Sequence, residues 1–171
     1  MNFSEVLKKR HSIRTYRKKE VEAEKLKKLL DCINQAPSAG NLQAYHIYVV
    51  KKQEYRDQLA LSAFGQNFIA QAPLVLVFMA DLSRSSTRYG QRGVELYAIQ
   101  DATIACAYAQ LIARELGLGS CWVGAFDEER VKALLQTPNE YRPVALMPLG
   151  YSSVKGSRSQ RKKVKEIYTI K

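Results

Sequence analysis

Ala36-Pro37-Ser38-Ala39-Gly40-Asn41-Leu42-Gln43 closes an amphipathic helix and hands the chain to the apolar strand His46-Ile47-Tyr48-Val49-Val50. A Pro/Ser/Gly/Asn cluster at such a corner stops a helix and offers backbone N–H groups beside side-chain amides. The helix before it spans Glu22–Gln35, because Leu26, Leu29, Leu30 and Ile33 recur at the spacing that builds one apolar face.

Working outward, Ser4 is expected to cap a short helix through Lys9, and Ser12–Tyr16 has an extended, β-rich character. A helix over Gln53–Ser62 and a helical turn around Gln66–Gln71 precede a buried strand, Leu74–Met79. The longest helix is expected over Val94–Leu116, where Leu96, Ile99, Thr103, Cys106, Ala107, Gln110 and Leu111 keep helical register until Gly117 and Gly119 end it. It is apolar almost all round, which places it at the centre of the fold or at a subunit interface. A strand at Ser120–Phe126, a helix from an Asp127 cap through Leu135 and a strand at Pro143–Leu149 complete the pattern. Four strands interleaved with helices predict a single α+β or α/β domain around a mixed sheet, with a doubly wound parallel fold fitting less well. Gly117-Leu118-Gly119 follows a helix and lacks a third glycine, which argues against a Rossmann dinucleotide site.

The 171 residues suffice for one domain with a real core, and a hydrophobic fraction of 46% is ordinary for a globular chain. The run Ala72–Ala80 is too short to span a bilayer, and Lys8, Lys9 and Arg10 arrive before a secretory signal could form, so no membrane association and a cytoplasmic location are expected. Cys32, Cys106 and Cys121 have no CxxC spacing and read as small buried hydrophobes. The net charge of +11 gathers at both chain ends, with Lys155, Arg158, Arg161, Lys162, Lys163, Lys165 and Lys171 in the last stretch. Such ends attract anions: a nucleic acid, a phosphate-bearing cofactor clamped between the termini, or solvent counterions.

Catalytic constellations are scarce. Two histidines, His11 and His46, no G-x-S-x-G elbow and no metal-ligand spacing leave the side chains poor in acid/base or nucleophilic chemistry. Arg10-His11-Ser12-Ile13-Arg14, by contrast, presents two guanidinium groups and a hydroxyl within five residues, an anion-binding composition. A chain of this kind can bind a cofactor and leave the chemistry to it.

Four stretches carry a resemblance: Arg10–Tyr16, Ala36–Gln43, Gly117–Phe126 and Pro148-Leu149-Gly150-Tyr151. In that order and spacing they resemble the successive signatures of the FMN-dependent nitroreductase family, across nearly the whole chain. The resemblance implies a mixed, mainly antiparallel sheet flanked by helices, a long central helix at the interface of a homodimer, and two FMN sites built from both subunits. It implies that Arg10, Ser12 and Arg14 hold the flavin phosphate and the polar edge of the ring, with His11 beside them through its backbone and Arg161 closing on the phosphate from the C-terminal tail, about residues 152–171. Pro37, Ser38, Ala39, Asn41 and Gln43 would reach the cofactor from the partner. Trp122, Val123, Gly124 and Ala125 would lie along the ring, with the Gly124 or Ala125 N–H directed at flavin N5 or O4. Trp122 could equally be a core aromatic, and Gln66 or its neighbour Asn67 could serve the pyrimidine edge. The family often has Pro and Trp after the loop Gln, where this chain has Ala44-Tyr45, and the polar Asp81–Gly93 segment stands where longer members insert helices. The implied activity is reduction of nitroaromatics, quinones or similar electron-poor acceptors by NAD(P)H, in a ping-pong hydride transfer through flavin N5, with no catalytic side chain and no metal. Two rival readings are a flavin protein of the same fold with another reaction, such as dehalogenation or flavin destruction, and a basic nucleic-acid-binding module. The second is disfavoured because the basic tail interleaves only Tyr168 as an aromatic.

Overall fold

In the computed structural model, which describes residues 1–154, 156 and 159–171, the elements run α1 (Phe3–Lys9), α2 (Ala23–Ile33), β1 (Tyr45–Val50), α3 (Gln53–Ser62), α4 (Phe68–Gln71), β2 (Leu74–Asp81), α5 (Leu82–Arg92), α6 (Ala98–Glu115), β3 (Gly119–Ser120), α7 (Glu128–Leu135) and β4 (Tyr141–Gly150). The strands pair in the order β1-β2-β4-β3, every pair antiparallel. A parallel component enters only as a bridge between Ser12 and Ser120. Of the basic tail, Lys155 and Arg158 lie outside the described residues.

Strand β2 organises the core, because its alternation sends apolar side chains to both faces. Leu74, Leu76 and Phe78 join Ala145, Met147 and Leu149 of β4 against Leu29 and Ile33 of α2 and Ala105, Cys106, Ala109 and Ala113 of α6. Val75, Val77 and Met79 turn the other way, with Leu146, against Leu59 and Ala60 of α3, Ile69 of α4 and Val131 of α7. Two helical layers thus cover the sheet, and each large apolar side chain sealed between them contributes about 1.5–3 kcal/mol. The small residues of α6 let that helix lie close to the strands.

Several boundaries differ from the sequence pattern. Asn2, rather than Ser4, caps α1: its Oδ1 accepts from Glu5 N at 2.9 Å while Glu5 Oε2 accepts from Asn2 N at 3.1 Å, a reciprocal box that Ser4 cannot form. The polar Ser/Arg segment after Asp81 folds as α5, with the Asp81 carboxylate accepting from Arg84 N at 2.9 Å. A single wider turn over Gly93–Tyr97 then leads into α6. The α6 terminus is closed by Gly117 at φ +78°, with Leu118 N donating to Ala113 O at 2.8 Å.

The strand expected over Ser120–Phe126 pairs regularly only at Gly119–Ser120. Its register against β4 nevertheless continues, since Cys121 N donates to Pro148 O and Val123 exchanges two hydrogen bonds with Leu146. Pro148 has no N–H to return to Cys121, so the ladder is interrupted there, and the chain leaves the sheet after Val123.

Candidate functional site

The Arg10–Arg14 segment is pinned to the sheet edge from below. Ile13 N donates to Ser120 O at 2.9 Å, and Ile13 is buried against Gly119, where a Cβ would stand 2.7 Å from Ile13 Cγ1. The Tyr16 hydroxyl donates towards Ile13 O at 2.8 Å and Pro148 O at 3.1 Å, and burial drives its pKa far up, so it stays a neutral phenol. With Ile13 facing in, extended geometry turns Ser12 and Arg14 outward, and both are exposed.

Arg10, His11, Ser12 and Arg161 line one pocket of about 450 Å³. Sequence separation therefore hides a real convergence: the C-terminal arginine returns to the N-terminal corner. No carboxylate lines this pocket, and none of the ion pairs among the described residues uses Arg10, Arg14 or Arg161. Among the described residues Arg161 Nη1 reaches the carbonyls of Ser159 and Gln160, both at 3.3 Å, and the Arg14 guanidinium sits 5.8 Å from the Phe68 ring centroid. Beneath them, burial pushes the Cys121 thiol up, while Arg14, Ser12 and Arg10 hold the rise in check. The corner is a concentration of unneutralised donors suited to an anion.

Beyond Val123, Gly124 and Ala125 are exposed, and neither N–H has an acceptor among the described residues. Gln66 holds this segment, its Nε2 donating to Ala125 O and to Ala63 O, each at 3.1 Å. Asn67, by contrast, is exposed at the start of α4 and makes no side-chain cap. Trp122 is half-buried and packs against the α2/α6 side of the core, with Nε1 3.2 Å from where a Gly124 Cβ would stand. A side chain at Gly124 would be a tight fit that the indole must yield to by a few tenths of an ångström.

The Pro37–Gln43 loop is held by a residue that sequence reasoning did not single out. Asp101, almost fully buried on α6, accepts from Ala39 N at 2.9 Å through Oδ1 and from Ala44 N at 3.3 Å through Oδ2. Its carboxyl pKa is lifted by burial and lowered by the two N–H donors. A carboxylate in the first turn of a mainly apolar helix was the available signal. Ser38 Oγ accepts from Gln43 N at 2.8 Å, Gln43 Nε2 donates to Asn41 O at 3.0 Å, and Gly40, Asn41 and Gln43 take positive φ. From outside, Arg84 Nε donates to Leu42 O and Arg88 Nη1 to Gly40 O at 3.4 Å. Ala44 uses its N–H on Asp101, which a proline there could not do. Pro37 and Asn41 remain exposed, and no hydrogen bond, ion pair or ring contact among the described residues joins this loop to the Arg10–Arg14 or Gly124–Ala125 groups.

Comparison with known proteins fits this arrangement. The nitroreductase family matches residues 7–69 and 60–151. An NADH dehydrogenase of Thermus thermophilus is 34% identical over 180 residues, covering 90% of this chain and 88% of its own. Among solved structures, NfrA2 of B. megaterium superposes with a TM-score of 0.92 at 27% identity, over 99% of this chain and 74% of that one. An FMN-dependent nitroreductase of Clostridium difficile R20291 gives a TM-score of 0.77 at 32% identity, over 94% and 92% of the two chains. The chain belongs to the nitroreductase family, and its α+β fold, an antiparallel sheet crossed by a long helix, is that of the solved members. It is an NAD(P)H oxidoreductase. No helix among the described residues is long and apolar enough to cross a membrane.

Proposed function

We propose that this protein is an FMN-dependent NAD(P)H oxidoreductase that reduces nitroaromatics, quinones or similar electron-poor acceptors in a ping-pong cycle. In this reading residues 1–171 form one domain, and two copies form a cytoplasmic homodimer with a flavin site at each side of the interface. The observation that carries the proposal is the pocket that gathers Arg10, Ser12 and Arg161 with no carboxylate in its lining. That donor set fits a flavin phosphate: two guanidinium forks and a hydroxyl answer a dianion, and neither arginine has a carboxylate to give up first.

Bound FMN would supply the hydride-accepting and hydride-donating chemistry, at N5. The chain's own residues bind, orient and stabilise charge. Arg10, Ser12 and Arg161 hold the phosphate, His11 lends its backbone, and Arg14 serves the polar edge of the ring. Gly124 and Ala125 offer N–H groups that lack acceptors among the described residues, and Gln66 fixes them by its bond to Ala125 O. Donors already in place when negative charge develops spend no reorganisation energy at that moment. Val123 and the half-buried Trp122 back this segment from the core side. The Pro37–Gln43 loop, with Ser38, Ala39, Asn41 and Gln43, would complete the partner's site. Its hold by Asp101, and the lack of any bond among the described residues to Arg10, Arg14 or Arg161 of its own chain, support that assignment. The positive charge of +11 favours capture of the phosphate-rich reductant.

The test is an absorbance spectrum of the purified protein, with the released flavin identified by chromatography. Flavin bands that bleach anaerobically with NADH or NADPH, and return on addition of a nitroaromatic or quinone, are expected. A colourless protein that also fails to take up added FMN would overturn the proposal.

A further inference from the structure

We propose that a second pocket, behind the Arg10–His11 corner, is a separate phosphate-binding subsite built around Arg114 and Lys9. This pocket has a volume of about 570 Å³ and lies between the end of α1, the last turns of α6 and the start of the C-terminal tail, with Gln110, Ser120 and Ser152 completing its polar lining. It shares Lys8, Arg10 and His11 with the Arg10–Ser12–Arg161 pocket, so the two are neighbours across one wall.

Three observations point to an anion. No carboxylate lines the pocket. Arg114 is half-buried, and its guanidinium has no hydrogen bond or ion pair among the described residues. A half-buried guanidinium without a partner is costly, and an anion in the pocket would supply one. His11 gives its Nδ1–H to Lys9 O at 2.8 Å and its ring packs against Gly156, so it closes one wall of the pocket and adds no donor to it. Among the described residues Lys9 pairs with the solvent-facing Glu5 carboxylate alone, at 3.8 Å, a contact weak enough to yield to a dianion.

A phosphate matches these groups through its charge and its several acceptor oxygens. It could arrive as a separate phosphate or nucleotide, or as the second phosphate of a flavin dinucleotide whose first phosphate sits in the neighbouring pocket. Only the latter source rests on the flavin reading above.

Isothermal titration of the full-length protein distinguishes these sources. FMN-saturated protein is titrated with inorganic phosphate and with ADP, and flavin-free protein with FMN and with FAD. The subsite is supported if one further equivalent of phosphate or ADP binds beside FMN, or if FAD binds at least about tenfold more tightly than FMN. In either case Arg114→Gln and, at the exposed end of α1, Lys9→Gln should each weaken that binding about tenfold, the scale of one charge-assisted contact, and leave FMN affinity within about threefold. The proposal is overturned if phosphate and ADP give no heat and FMN and FAD bind alike, or if both folded variants match the parent. If FMN fails to bind while phosphate still binds and depends on Arg114, the flavin reading falls and this subsite stands.

Discussion

Replacing Asp101 with alanine removes the acceptor for two loop N–H groups at once. Ala44 is fully buried, so its N–H would have no water to turn to, whereas Ala39 is half-buried and can be rehydrated. Losing a bond to a charged acceptor in a sealed place costs about 1.5–3 kcal/mol, and the rehydrated one about 0.5–1 kcal/mol. Burial acts in the opposite direction, since it lifts the Asp101 pKa and shows that the charged form itself is held at a cost. The net expectation is therefore the lower end, about 2 kcal/mol. For a chain of this size that lowers Tm by about 6 °C. Thermal melts by circular dichroism, at fixed protein concentration and without flavin, give the number. Asp101→Asn, which keeps one acceptor oxygen but turns an NH₂ towards the other N–H, should fall between. If the loop also serves the partner's flavin, both variants weaken FMN binding without touching the arginine pocket. An Asp101→Ala protein that melts within about 1 °C of the parent and binds FMN equally would refute the assignment of Asp101 as the loop's anchor.

Gly119→Ala would set a Cβ 2.7 Å from Ile13 Cγ1, and the overpacking should cost about 1–3 kcal/mol in urea unfolding while loosening the Ser12–Ser120 bridge. Gln66→Ala removes the clamp on Ala125 O, and steady-state NADH oxidation should fall about threefold to tenfold, whereas Asn67→Ala should leave it unchanged. Glu22 is held down to about pH 2 from 4.5, first by the Tyr151 hydroxyl, which donates to Oε2 at 2.6 Å. Its depressed folded pKa means a stabilisation present above 4.5 and lost as pH falls from there towards 2, so Glu22→Gln should flatten that part of an acid-unfolding curve.

The helices and strands could be read wherever apolar spacing was long and regular. Leu26, Leu29 and Ile33 do face the core, Gln53–Ser62 is helical over the expected bounds, and Leu74–Met79 is the buried strand. Less legible were features set by a single partner far away in sequence. α5 has almost no apolar face of its own, since Ser85 is its one buried residue, so no apolar spacing marked it as a helix. The fraying of the strand after Ser120 depends on Pro148, which only the register of β4 places opposite Cys121.

By itself the sequence determined a mixed helix-and-strand domain, the helix-stop corner at Pro37–Gln43 and the cationic composition of Arg10–Arg14, because each is written in short-range spacing and composition. Tertiary structure alone decided that Arg161 returns to Arg10, that Asp101 holds the loop, and that Gln66 rather than Asn67 meets Ala125. Those pairings join residues distant along the chain. Close packing of α6 and the strands brings such groups within hydrogen-bond reach, and no local pattern encodes which ones will meet.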